Sequence, residues 1–94
     1  MEFTTVSGEK TADIVVFALS TCIWCKKTKQ LLEDELGVEF KYVFVDNLND
    51  AEKEEALAEM QKFNPAGGFP TTVINGEKVV VGYRARDIRE AIGK

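Results

Sequence analysis

VVFALSTCIWCKKTKQLL, residues 15–32, is the stretch that decides the fold. Together with Ile14 it opens on six consecutive apolar residues, Ile14–Leu19, a run suited to a strand buried on both faces. After Ser20 and Thr21 the pattern turns helical. Trp24, Thr28, Leu31 or Leu32, and Leu36 recur at spacings of three to four, and Gly37 stops the segment as a helix C-cap does. The only two cysteines of the chain, Cys22 and Cys25, stand two residues apart at the junction of these elements.

Working outward, Val38–Val45 reads as a second strand, with Val38, Phe40, Tyr42 and Phe44 on one side of the pleat. Asn49 is placed to cap a helix from Asp50 to about Phe63. Its acids Glu52, Glu54 and Glu55 favour the first turns, and Leu57, Met60 and Phe63 give it an apolar edge. Asn64–Pro70 is turn chemistry. Thr71–Ile74 and Lys78–Val81 flank Asn75-Gly76, a strong hairpin signal, and Gly82 ends the hairpin. A last helix is predicted over Ala85–Ile92, with Ile88, Ala91 and Ile92 on one face. Residues 1–11 read as a loose arm or a short extra strand.

The predicted order is β-α-β-α-β-β-α. The first crossover is parallel and right-handed, and the hairpin makes the last two strands antiparallel. The expected architecture is α/β: a four-stranded mixed sheet flanked by three helices, the thioredoxin-like fold, as a single domain over residues 1–94.

Composition narrows the function. The chain has 12 basic residues against 16 acidic ones and a net charge of −4, which argues against a nucleic-acid footprint. It has no histidine, so the commonest general base and the commonest metal ligand are both missing. No apolar run approaches the ~18 residues of a membrane span, and the polar start MEFTTVSGEKTAD resembles neither a signal nor a transit peptide. A cytoplasmic location is therefore expected. There thiols are kept reduced, and a close cysteine pair points to redox chemistry or metal.

Cys22 falls at the N-terminal edge of the first helix, where unpaired N–H groups and the helix dipole favour a thiolate. Lys26, Lys27 and Lys29 add positive charge nearby. The reaction expected is dithiol exchange: Cys22 attacks a substrate disulfide, and Cys25, one turn away, resolves the mixed disulfide. This needs no bound cofactor and no metal. The alternatives are a zinc or iron–sulfur site formed by two chains sharing their cysteine pairs, or plain core packing of both sulfurs. Trp24, an aromatic beside the nucleophile, is a candidate contact for a partner.

The segments FALSTCIWCKKTKQLLEDELGVEF, GGFPTTVING and VVVGYRARDIREAIG together resemble the glutaredoxin family, over residues 12–93. The resemblance implies a cis-proline at Pro70, main-chain pairing of Phe69 with substrate, and a substrate site that includes Thr21, Trp24, Gly82 and Tyr83. It also implies protein disulfides as substrates, a monomer, and an external electron donor that is a small thiol or a flavoprotein reductase. The chain departs from glutathione-using members at three places. Leu19 stands where they carry lysine, Gly68-Phe69-Pro70 replaces Thr-Val-Pro, and Gly82-Tyr83-Arg84 replaces a Gly-Gly pair followed by an acid, with Asp87 displaced. The tail GYRARDI is similar instead to small glutaredoxin-like redoxins that take electrons from a flavoprotein reductase, with Arg86 as an extra residue. Arg84 and Arg86 are expected near the rim of the site.

Overall fold

The computed structural model describes residues 2–94. Five strands form one sheet in the order β1-β3-β2-β4-β5. They are β1 Thr4–Val6, β2 Ile14–Ala18, β3 Phe40–Phe44, β4 Thr71–Ile74 and β5 Lys78–Val81. Helix α1 runs Ile23–Gln30 and continues as a π-helical turn, Leu31–Glu35. Helices α2 and α3 run Asp50–Phe63 and Ala85–Ile92. β2 pairs parallel with β3 and antiparallel with β4, and β4 pairs antiparallel with β5. This is the thioredoxin-like arrangement read from the sequence.

The sheet has five strands rather than four. Of the two readings of residues 1–11, a loose arm or a short extra strand, residues 4–6 take the second and pair antiparallel with β3, with Thr4 opposite Tyr42 and Val6 opposite Phe40. Both faces of this strand region find apolar partners. Val6 packs on the core beneath α1, and the Phe3 ring meets Phe17 edge-on with centroids 5.9 Å apart. Gly8 then lets two backbones touch, since a Cβ there would lie 2.6 Å from the Val38 carbonyl carbon. The Glu9 N–H donates to the Gly37 carbonyl at 2.8 Å, and the Glu39 N–H donates to the Glu9 carbonyl at 2.9 Å. A three-residue strand carries too little alternation to be separated from a coil by pattern alone.

β3 is also shorter than expected. Val38 forms only an isolated bridge with Glu9, and Val45–Asn47 is a 3₁₀ turn.

The unbroken apolar run of β2 is explained by its two covered faces. Ile14, Val16 and Ala18 join Cys25, Leu31, Leu32, Leu36, Phe40, Ile88 and Ile92 in one core layer. Val73 of β4 and Phe17 join Ala56 and Met60 of α2 in the other. Each fully buried Leu, Ile or Phe contributes roughly 1.5–3 kcal/mol relative to exposure. The inward stripe of α1 begins at Cys25 and continues through Thr28, Leu31, Leu32 and Leu36, whereas Trp24 is 53% exposed. The π turn, closed by the Leu36 N–H on the Leu31 carbonyl at 2.9 Å, brings all three leucines under cover.

Candidate active site

The site is built where β2 hands the chain to α1. Cys22 is the N-cap residue of α1, with extended backbone, and its sulfur accepts the Cys25 N–H at 3.3 Å. One of the unpaired amides of the helix start is thereby satisfied by sulfur rather than by a hydroxyl or carboxylate. The turn before it is closed by the Cys22 N–H on the Leu19 carbonyl at 3.3 Å. Cys22 is half-buried and Cys25 is fully buried, both as free thiols.

Cys25 lies behind Cys22. Its sulfur accepts the Leu19 N–H at 3.5 Å. Burial first, and then the hydrogen bond with Cys22, push the Cys25 thiol up to about 12, against the pull of the Leu19 amide. Cys25 is thus held as a neutral thiol at physiological pH, one helical turn from the more open sulfur.

Two of the three lysines meet aromatic rings. Lys27 lies 5.7 Å from the Trp24 ring centroid, while Lys29 sits 3.9 Å from Tyr42 and 5.1 Å from Phe44, over β3. These are cation–π contacts, and they hold Lys29 over the aromatic rings of β3.

A groove of about 340 Å³ runs beside the cysteines, lined by Trp24, Phe69, Val81, Gly82, Tyr83 and Arg84. Four residues singled out from the sequence, Trp24, Phe69, Gly82 and Tyr83, therefore meet in one place. The Trp24 and Tyr83 rings stack, 6.1 Å apart and 16° from parallel. Ile23 and Val81 are 57% and 40% exposed, so the surroundings of Cys22 form an apolar patch. Thr21 is exposed in the turn before Cys22, outside the groove lining.

The Phe69–Pro70 peptide is cis. Pro70 is buried, and its carbonyl accepts the Gly82 N–H at 2.8 Å, which pins the end of the hairpin to this loop. The loop is shaped from behind by Thr71. Its hydroxyl donates to the Gly68 carbonyl at 2.8 Å and accepts from Asn64 Nδ2 at 3.1 Å. Gly67 and Gly68 have φ of +75° and +124°, a path that side-chain-bearing residues rarely take. Among the described residues, no hydrogen bond uses the Phe69 N–H or carbonyl.

Arg84 lines the groove and pairs loosely with Asp87 at 3.8 Å, whereas Arg86 pairs with Glu90 at 3.4 Å and is not part of the lining. Sequence reasoning missed Val81 as a wall of the groove. It also missed the contact of Ser20 with Asp46, whose carboxylate accepts both the Ser20 N–H and its hydroxyl. The parallel register could have found it. β2 and β3 pair at a constant offset of 26, as in Ala18 opposite Phe44, and the next aligned pair on that side is Ser20 and Asp46.

A mixed sheet, a Cys-x-x-Cys pair at the start of α1 and a cis-proline loop beside it define a thioredoxin-like protein with a redox-active cysteine pair. Comparison with known proteins narrows this further. The family model described as Glutaredoxin matches residues 14–79. A glutaredoxin from Methanosarcina mazei Go1 superposes with a TM-score of 0.90 at 49% identity, covering 100% of this chain and 90% of that one. The methanoredoxin of Methanosarcina acetivorans superposes with a TM-score of 0.91 at 50% identity, covering 100% and 97%. An uncharacterized glutaredoxin-like 8.6 kDa protein of a Clostridium pasteurianum rubredoxin operon is 32% identical over 81 residues, 86% of this chain and 99% of that protein. The chain belongs to the glutaredoxin family. Family and cysteine pair together support thiol–disulfide oxidoreductase activity. Among the described residues no helix is long and apolar enough to cross a membrane.

Proposed function

We propose that the reduced protein cleaves disulfides in protein substrates by dithiol exchange. Cys22 attacks one sulfur of the substrate disulfide, and the other substrate sulfur leaves as a thiolate that takes up a proton. Cys25 then loses its proton and attacks Cys22. The intrachain disulfide forms, the mixed disulfide breaks, and two electrons have passed to the substrate. The observation that carries this reading is the pairing of a half-buried N-cap sulfur with a buried thiol directly behind it. The nucleophile is accessible, and the resolving group is kept from competing for substrate.

In this reading the groove holds the substrate strand. The backbone of Phe69 pairs with it, Pro70 shapes that edge, and Thr21, Trp24, Gly82 and Tyr83 contact its side chains. Electrons return from a small thiol or a flavoprotein reductase, and the protein works as a cytoplasmic monomer. Leu19 supports a donor other than glutathione, because its apolar side chain stands where a carboxylate of glutathione would need a cation. The rival, two chains sharing a metal or cluster through both cysteines, is disfavoured because Cys25 presents no surface to a second chain.

Reduction of a protein disulfide with glutathione, other small thiols and a flavoprotein reductase in parallel is the test. Cys22→Ser abolishes turnover, and Cys25→Ser accumulates a mixed disulfide visible by mass spectrometry. Undiminished turnover by Cys22→Ser would end the proposal.

A further inference from the structure

The turn that delivers Cys22 is held by a residue that the exchange itself does not use. The Ser20 N–H donates to Asp46 Oδ1 at 2.9 Å, and the Ser20 hydroxyl donates to Oδ2. Both oxygens of one carboxylate are thus committed to the residue two places before the nucleophile. Ser20 is chained directly to Leu19, whose N–H reaches the Cys25 sulfur and whose carbonyl receives the Cys22 N–H. Displacing Ser20 therefore disturbs contacts to both cysteines. Asp46 comes from the 3₁₀ turn after β3, so the clasp joins the turn to a different strand.

Resting on the dithiol reading above, we propose that Asp46 is a positioning residue that sets the reduction potential of the Cys22–Cys25 pair through its hold on Ser20 and its negative charge. The two Ser20 bonds, with Lys53 of α2 adding to them, hold the Asp46 carboxyl below its ordinary range, so it is a carboxylate at neutral pH. Its charge opposes an anion at Cys25, as does the neighbouring Cys22. Because Cys25 is neutral near pH 7, this opposition weighs on the reduced pair only where it carries a thiolate, and a neutral disulfide feels it weakly. The pair gives up its two electrons more readily as a result.

Asp46→Asn removes the charge and leaves one amide oxygen for Ser20, while Ser20→Ala removes the hydroxyl bond and leaves the charge. Equilibration of each oxidised variant with dithiothreitol, followed by thiol counting, reads the effect. Asp46→Asn shifts the constant about three- to tenfold toward the dithiol form, a rise in potential of about 15–30 mV for two electrons. Ser20→Ala, which keeps the charge and loosens only the hold, shifts it by a smaller factor, and 1 M salt shrinks the Asp46→Asn effect because the carboxylate is exposed to screening. Folded Asp46→Asn and Ser20→Ala proteins with the wild-type potential overturn the inference alone. A wild-type protein that forms no reversible disulfide overturns the proposed function and this inference with it.

Discussion

The Trp24 indole and the Tyr83 phenol ring stack 6.1 Å apart, which ties the first turn of α1 to the segment that follows β5. Two elements far apart in sequence thereby share one apolar wall beside Cys22. Because Trp24 is 53% exposed, little of the fold rests on it. Trp24→Ala is expected to leave thermal stability within about 1 kcal/mol of wild type. The same change raises KM for a protein disulfide about fivefold or more, as loss of an aromatic anchor does. Turnover of a small symmetric disulfide, which needs no groove, stays near the wild-type rate. An unchanged KM would remove Trp24 from the substrate surface.

The two sulfurs differ in reactivity. With Cys25 pushed up to about 12, about one molecule in ten thousand carries its thiolate at about pH 8. Iodoacetamide under native conditions therefore adds one group per chain, on Cys22, and a second only after denaturation. Peptide mass mapping reads this directly. Native double labelling contradicts the buried geometry of Cys25.

The same group links stability to pH. The folded-state value, about 12, lies above the reference value of 9.0. Its contribution is therefore fully present below about pH 9 and is lost as pH rises toward about 12. Denaturant titrations of the reduced protein are expected to show wild type losing more stability than Cys25→Ala between about pH 9 and 11. Parallel losses in the two proteins exclude Cys25 as the source.

Gly8 is required by close approach rather than by its φ. An added Cβ would lie 2.6–2.8 Å from backbone atoms of Gly37 and Val38, which cannot swing aside as a side chain would. Gly8→Ala is expected to cost about 1–3 kcal/mol. Amide exchange should quicken at Thr4–Val6 while disulfide exchange at Cys22 continues. Retained protection at those amides would show that the backbones part without cost.

Thr71 supports the cis-proline loop from inside. Thr71→Val leaves Asn64 Nδ2 and the Gly68 carbonyl without their partner, at a cost of about 1–3 kcal/mol. The loop that presents Phe69 loosens, and KM for protein substrates rises while Cys22 alkylation is unaffected. An equal fall in alkylation rate would mean that the disturbance reaches the helix start instead.

What was legible in the sequence was local. Asn49 caps α2 through its side chain on the Glu52 N–H at 2.8 Å, and Asn75 and Gly76 take φ of +55° and +69° in the hairpin turn. Both follow from the preferences of single residues at fixed places. The cysteine pair was legible for the same reason, since its spacing along α1 fixes its geometry. The features left open or missed depended on distant partners. β1 exists because Phe3 and Val6 find Phe17 and the layer under α1, and no property of residues 4–6 by themselves announces that. The exposure of Trp24, one of two readings open in the sequence, was set by where the helix is rolled on the sheet, with Cys25 inward. The Ser20–Asp46 clasp spans 26 positions and needed the strand register first.

The brevity of the outermost strands also bears on how these molecules behave in a crowd. β1 offers three residues and β5 four, and an unpaired chain trying to extend the sheet from either flank would find a ladder only that long. Runs so short resist intermolecular stacking. The exposed apolar patch around Cys22 is therefore not accompanied by a long free sheet edge on which neighbouring molecules could pair.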